Sequence, residues 1–278
     1  MADFLGDRMK NIGFIGAGNM AEAFIKGILK SGVRTPGQIT AADIRDDRLQ
    51  YLQSQYGIHT TADNGKLVSE SDITFLSVKP QIMPQVAAGI SGKFRKKSVV
   101  VTIAAGITSG YLAEKLGDVP IIRTMPNTPA MVGEGVTGIY NRSADTAVLT
   151  DVRELLDAVG KTVVVEDESL LDVVTAVSGS GPAYFFLLME EMTAAAKTLG
   201  LSDETAVTLV CQTALGAAKL ASLSLKDETP ADLRRKVTSP GGTTEAAISH
   251  FQKNNFGEIV REAIRRARDR GKELSSQT

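Results

Sequence analysis

Apolar residues in the first half of the chain fall into short blocks separated by amphipathic stretches. Lys10–Gly16 reads as a buried strand, and Ala21, Phe24, Ile25, Ile28 and Leu29 sit at helical spacing within Met20–Lys30. Further β-branched blocks at Ile39–Asp43, Asp72–Val78 and Ser98–Ile103 predict strands, with a helical pattern over Arg48–Tyr56. Ile121–Met125, Gly135–Tyr140 and Thr162–Val165 predict later strands, with a helix over Asp151–Val159. Strands alternating with helices imply a parallel sheet covered on both faces, a Rossmann-type doubly wound α/β domain.

From Leu170 onward the strand signal disappears. Pro182–Leu199 and Asp203–Leu223 predict long helices, and Thr244–Glu273 predicts a last one with a break near Gly257. Ala194, Ala195, Ala196, Ala214, Ala217, Ala218 and Ala221 leave room for close helix packing, within the chain or between chains. With the change of pattern placed within 168–172, residues 1–168 form the dinucleotide-binding domain. Residues 169–278 are expected to form an all-helical domain, of a kind that often builds a dimer. A homodimer is expected, which a ring of dimers could extend.

Composition narrows the partners. The chain has 278 residues, 43% of them hydrophobic and 23% charged, with a formal net charge of −1. That balance favours a small-molecule substrate over nucleic acid or an anionic membrane. Arg261, Arg265, Arg266, Arg268 and Arg270 alternate with Glu262 and Asp269 and read as a solvated helix face. The single cysteine, Cys211, cannot form an internal disulfide, and its apolar stretch predicts simple packing and a cytoplasmic chain. The N-terminus lacks the apolar core of a signal peptide, and residues 1–8 read as a short extension before the first strand. No apolar run of about 18 residues lacks a charge, so no membrane span is expected. No metal site is expected either.

The first candidate site follows the first strand. Gly16-Ala17-Gly18-Asn19-Met20-Ala21 is a G-x-G-x-x-A turn. Its first glycine allows the turn, its second admits a pyrophosphate, and the small third residue lets the helix pack on the strand. Asp43 ends the second strand, where a carboxylate would accept bonds from a ribose 2′-hydroxyl and repel a 2′-phosphate. Arg45 would do the reverse, so NADH and NADPH both stay open. Ser77-Val78-Lys79-Pro80 and Ala104-Ala105-Gly106 follow other strands and are candidates for the same ligand. Lys79 reads equally well as an exposed loop lysine.

Four further segments carry more than a fold requires. They are Arg123–Pro129, Glu168, Ser178–Tyr184 and the loop Ser239-Pro240-Gly241-Gly242-Thr243-Thr244. The last precedes a helix and predicts a nest of N–H donors suited to a carboxylate, although a plain helix cap would use the same residues. Ser178–Tyr184 likewise suits a helix start, with Pro182 in the first turn.

In this order, over about Met9–Leu274, these motifs resemble the pyrroline-5-carboxylate reductases, and the Ser239–Thr244 loop is the most specific of them. The resemblance implies a Rossmann domain with a helical dimerisation domain, and NAD(P)H-dependent reduction of the cyclic imine pyrroline-5-carboxylate to proline. It also implies that Ser239, Gly241, Gly242 and Thr243 hold the substrate carboxylate, and that Thr244 contacts the imine nitrogen. Glu168 would reach the substrate and Asn64 would lie near the adenosine ribose. The family often has serine where this chain has Asp43, and asparagine where it has Lys236.

Two other readings share some of these features. A β-hydroxyacid dehydrogenase or another imine reductase has the same domain plan, but the former chemistry uses a lysine on the helix opening the second half, and Gly181–Met192 has none. A non-catalytic nucleotide sensor would not need a second nest.

Overall fold

In the computed structural model, which describes residues 9–276, the apolar blocks form eight strands. They are β1 (Ile12–Ile15), β2 (Ile39–Ala42), β3 (His59–Thr61), β4 (Ile73–Leu76), β5 (Val99–Thr102), β6 (Ile121–Met125), β7 (Gly135–Asn141) and β8 (Gly160–Val165). The sheet order is β3-β2-β1-β4-β5-β6-β7-β8. The strands from β3 to β6 are parallel; β7 is antiparallel to β6, and β8 is parallel to β7. Helices α1 (Asn19–Ser31), α2 (Asp46–Tyr56), α3 (Asn64–Glu70), α4 (Met83–Ile90), α5 (Ser109–Leu116) and α6 (Thr146–Asp157) connect them. The doubly wound class expected from the alternation is the class observed. The extension expected at 1–8 lies outside the described residues.

Each face of the sheet has its own core. On one, Phe14 and Phe75 stack at 4.8 Å between ring centroids, and Phe24 of α1 adds a second stack at 5.7 Å. On the other, Ile15, Leu76 and Val100 pack with residues of α3, α4 and α5. Both faces of β1, β4 and β5 are therefore dry, which is why those strands are continuous apolar runs rather than alternating ones.

The observed boundaries differ from the expected ones for local reasons. Helix α6 begins at Thr146 rather than Asp151, because the Asp145 carboxylate accepts the Val148 N–H and caps it there. Strand β3 and helix α3 are too short and polar to announce themselves. Helix α7 (Leu170–Val174) continues through a π-helical segment, Thr175–Gly179, into α8 (Gly181–Thr198). Ser178–Tyr184 is thus not a fresh helix start. Pro182 has no N–H to donate, and the wider π turn, closed by Ser180 N–H to the Thr175 carbonyl at 2.8 Å, absorbs the irregularity.

The rest of the chain is helical: α9 (Asp203–Ser224), α10 (Pro230–Lys236), α11 (Thr243–Lys253) and α12 (Phe256–Ser276). The break between α11 and α12 falls at Asn254–Asn255, and Asn255 takes the left-handed conformation at φ 59°. Gly257 lies inside α12, so an asparagine, the side chain best suited to that region after glycine, makes the turn. Two compact units result. One holds the described residues up to Ser180 together with those from Ala267 on, and the other is Gly181–Arg266.

In the helical unit, α8 and α9 pack on each other but leave Phe185, Phe186, Leu187, Leu209, Leu215 and Leu223 exposed. Cys211, expected to be packed, is also exposed in the single chain. Leu170–Thr198 and Asp203–Ser224 are long and apolar enough to cross a membrane by length and composition alone, a test that core helices of soluble proteins also pass. Exposed apolar faces of this size call for a partner surface. On α12, by contrast, Arg261 pairs with Glu258, and Arg265 and Arg266 with Glu262, as a solvated charged face should.

Candidate active site

The carboxyl ends of β1, β2, β4 and β5 share one edge of the sheet. Gly16 N–H donates to the Ala42 carbonyl and Ser77 N–H to the Ile15 carbonyl, both at 2.8 Å, while Ile103 N–H donates to the Leu76 carbonyl at 3.2 Å. The chain winds outward in both directions from β1 and β4, the switch point where such sheets bind ligands. Gly16-Ala17-Gly18 sits there. Gly16 has φ 92°, and a Cβ on it would lie 2.8 Å from the Ser77 carbonyl oxygen, so only glycine fits. Gly18 has the opposite character. Its φ of −71° suits any residue, and nothing lies within 4 Å of where its Cβ would be. The protein does not need a glycine there, so the open space is suited to a ligand.

Other candidates surround this turn. Ser77 Oγ is buried without a hydrogen-bond partner, an orphaned hydroxyl beside Gly16. Asn19, Met20 and Ala21 open α1, whose first N–H groups lack intrahelical acceptors. Val78 is partly buried, and the exposed Lys79 precedes a 3₁₀ turn that starts at Pro80. Asn64 is the first residue of α3, behind the capping carboxylate of Asp63. After β5, Ala104 is buried, Ala105 exposed, and Gly106 adopts φ 77°. The donor set and the open backbone fit a dinucleotide.

Asp43 does not present a free carboxylate. One oxygen accepts the Ala17 N–H at 2.8 Å and the other the Arg45 N–H at 3.0 Å. Arg45 is exposed and bonded to Asp47.

Glu168 is also engaged. Its Oε1 accepts the Ser109 N–H at 2.7 Å and Arg123 Nη1 at 2.9 Å, and its Oε2 accepts the Ser109 hydroxyl. Burial alone would raise its pKa, but the Ser109 bonds and Arg123 outweigh burial and hold it below the ordinary glutamate range. Arg123 is 3% exposed, so Glu168 is its counter-ion. A depressed folded pKa means stabilisation that is present above the unfolded value, about 4.3, and lost as pH falls through the folded one. Glu168→Gln should therefore cost about 1–3 kcal/mol at pH 7. Thermal melts of the two proteins should converge only as pH falls through the folded Glu168 pKa, below the ordinary glutamate range; a gap independent of pH would remove the ion pair as its cause.

Asn127, in the Arg123–Pro129 segment, accepts the Val136 N–H at 2.9 Å and donates to the Ser178 carbonyl at 3.1 Å. It ties two of the segments singled out by sequence to each other, which is structural work.

The loop before α11 stands in the helical unit. Gly241, at φ 72°, donates its N–H to Glu245 Oε2 at 2.7 Å, and Gly242 N–H goes to the Ser239 carbonyl at 3.0 Å. The expected nest is therefore displaced. The N–H groups without an intrahelical acceptor are those of Thr243, Thr244 and Glu245, the first three residues of α11. Thr244 is half-buried, and Ser239 is exposed. Sequence reasoning missed Ser109, and also Glu22 and Arg48, which brace the glycine turn. Only spatial proximity links these residues to the motifs.

The sheet, its switch point and the open turn at Gly18 define a dinucleotide-dependent oxidoreductase. Residues 11–106 match the family described as NADP oxidoreductase, coenzyme F420-dependent, and residues 168–274 match the family described as pyrroline-5-carboxylate reductase dimerisation. A pyrroline-5-carboxylate reductase of Pseudomonas aeruginosa is 46% identical over 268 residues, covering 96% of this chain and 97% of that protein. One from Arabidopsis thaliana is 39% identical, with 95% of each chain covered. The solved pyrroline-5-carboxylate reductase of Coxiella burnetii superposes with a TM-score of 0.90 at 37% identity, covering 96% and 99% of the two chains. That of Plasmodium falciparum, solved with NADP bound, gives 0.84 at 27% identity, covering 96% and 99%. The chain belongs to the pyrroline-5-carboxylate reductase family. It is an NAD(P)H-dependent oxidoreductase with a helical dimerisation domain.

Proposed function

We propose that the chain reduces pyrroline-5-carboxylate to L-proline, and that Thr244 and the first turn of α11 bind the substrate. The observation that carries this reading is the Ser239–Thr244 loop opening α11 within the stretch that matches the dimerisation family. Three N–H groups and the positive end of an 11-residue helix favour a carboxylate. The bound dinucleotide supplies a hydride.

A C=N carbon becomes a strong hydride acceptor once its nitrogen is protonated, and the product amine needs no alkoxide to be stabilised. The chain's two histidines, His59 and His250, lie outside the candidate loops, so a strong protein acid is not part of the reading. The Thr244 hydroxyl orients the nitrogen. Its ordinary acidity is too weak to be the proton source, so the proton arrives with a protonated imine or from water. Gly16, Ala17, Gly18, Asn19, Met20 and Ala21 hold the dinucleotide phosphates. Asp43, Arg45 and Asn64 lie toward its ribose. Ser77, Val78, Lys79 and Pro80, with Ala104, Ala105 and Gly106, line the remainder. Glu168 acts from its ion pair with Arg123, near the substrate. The exposed faces of α8 and α9 build a homodimer, which a ring of dimers extends, and the enzyme works in the cytoplasm.

The test is loss of NAD(P)H absorbance when pyrroline-5-carboxylate is added. Stoichiometric formation of proline is expected. A folded protein that binds NADPH or NADH but leaves the imine unreduced would overturn the substrate assignment.

A further inference from the structure

Besides Asp43, the glycine turn is held by side chains that lie outside the dinucleotide motif. Ala17, between the two glycines, has both of its backbone polar groups engaged. Its N–H donates to Asp43 Oδ2 at 2.8 Å, and its carbonyl accepts Arg48 Nε at 2.6 Å. Arg48 comes from the first turn of α2, 31 residues away. Its Nη2 donates to Glu22 Oε2, and its guanidinium lies 5.0 Å from the Tyr51 ring centroid. Glu22 Oε1 in turn accepts the hydroxyls of Tyr51 at 3.1 Å and Tyr56 at 2.8 Å. Arg48 and Glu22 are only 17% and 21% exposed. Burial would raise the Glu22 pKa, yet the bonds from Arg48, Tyr56 and Tyr51 bring it below the ordinary value, so the acid stays ionised.

A peptide unit is planar and trans, so its carbonyl and the following N–H point in opposite directions. Fixing the Ala17 carbonyl on Arg48 therefore fixes the Gly18 N–H away from it. Fixing the Ala17 N–H on Asp43 does the same for the Gly16 carbonyl. Glycine-flanked peptides are the most costly to order, and a turn already ordered before the ligand arrives spares that cost on binding.

We infer that Arg48, locked by Glu22, is a positioning residue that presets the Gly16–Gly18 peptide planes for the dinucleotide. This rests on the reading of that turn as the dinucleotide site. Arg48 acts here through geometry, not as a free cation, because Glu22 neutralises it.

The test is titration of the full-length protein with NADPH and NADH, with thermal melts and steady-state kinetics. Arg48→Lys keeps the charge but not the planar fork. It should weaken both cofactors by a similar factor of roughly 10. Cofactor KM should rise while kcat at saturation holds within about twofold. Glu22→Gln, which keeps Arg48 but frees it from an ionised partner, should shift both affinities the same way by less, and serves if Arg48→Lys melts too low to assay. Unchanged affinities in the folded variants would overturn the proposal, as would a loss confined to NADPH, which would make Arg48 a direct contact of the 2′-phosphate. Gly18→Val run alongside separates this from failure of the site itself. If Gly18→Val binds normally, the turn is not the dinucleotide site; if it alone loses binding, only the role of Arg48 falls.

Discussion

Gly18→Val should bind NADPH and NADH at least roughly 100-fold more weakly than the unaltered chain, in a protein that still folds. The native backbone at Gly18 has φ −71°, and no atom lies within 4 Å of the added Cβ, so valine meets nothing in the protein itself. The residue is the N-cap of α1, and valine is a poor cap, at a cost of about 1 kcal/mol. For a chain of this size that is a drop of about 2–4 °C in Tm. The side chain would instead fill the space through which a pyrophosphate approaches the backbone. Losing two charge-assisted hydrogen bonds at about 1.5–3 kcal/mol each accounts for the factor. Calorimetric titration with a melt on the same sample checks both halves. Wild-type affinity in the folded variant would remove the dinucleotide from this turn.

Thr244→Ala should lower kcat/KM for the imine roughly 10- to 100-fold while leaving cofactor affinity nearly unchanged. The hydroxyl contributes one hydrogen bond near the reacting atoms, worth about 0.5–1.5 kcal/mol net, and up to about 3 if its partner is left unsatisfied. Thr244 is the second residue of α11, where alanine is at least as good a helix former, so the helix and its N–H groups persist. Thr244→Ser restores the hydroxyl without the methyl and should retain most activity. If the methyl group were what counted, both variants would lose similar amounts, chiefly as Tm. Steady-state kinetics showing two fully active enzymes would rule out a chemical role for this hydroxyl.

The difference between what sequence shows and what it hides has a physical basis. Strands β1, β4 and β5 are legible because both their faces are buried, which demands unbroken apolar residues. Strand β3 lies at the sheet edge as His59-Thr60-Thr61 and carries no such demand. The glycine turn is legible because its chemistry is local, within six residues. Its bracing is not, because Glu22 and Arg48 are 26 residues apart and meet only once β1 and β2 pair. The capture of the Gly241 N–H by Glu245 lies between these cases. A glutamate at the third position of a helix is a recognised capping signal, and it could have placed the free donors one step further along. Cys211 shows a limit of another kind: an apolar neighbourhood in sequence identifies a face to be covered, not whether the same chain covers it.

The end of α12 bears on how the protein is made. A Cβ on Gly106 would sit 3.4 Å from Leu274, and the Ser275 hydroxyl reaches Asp172 at 3.4 Å, so the last turns of the chain complete the sheet unit. Residues 181–266 are therefore an insertion into that unit, not an appendage to it. A chain emerging from the ribosome has every strand of the sheet long before it has the helix end that packs beside the turn after β5. Its first unit is thus the last to be finished.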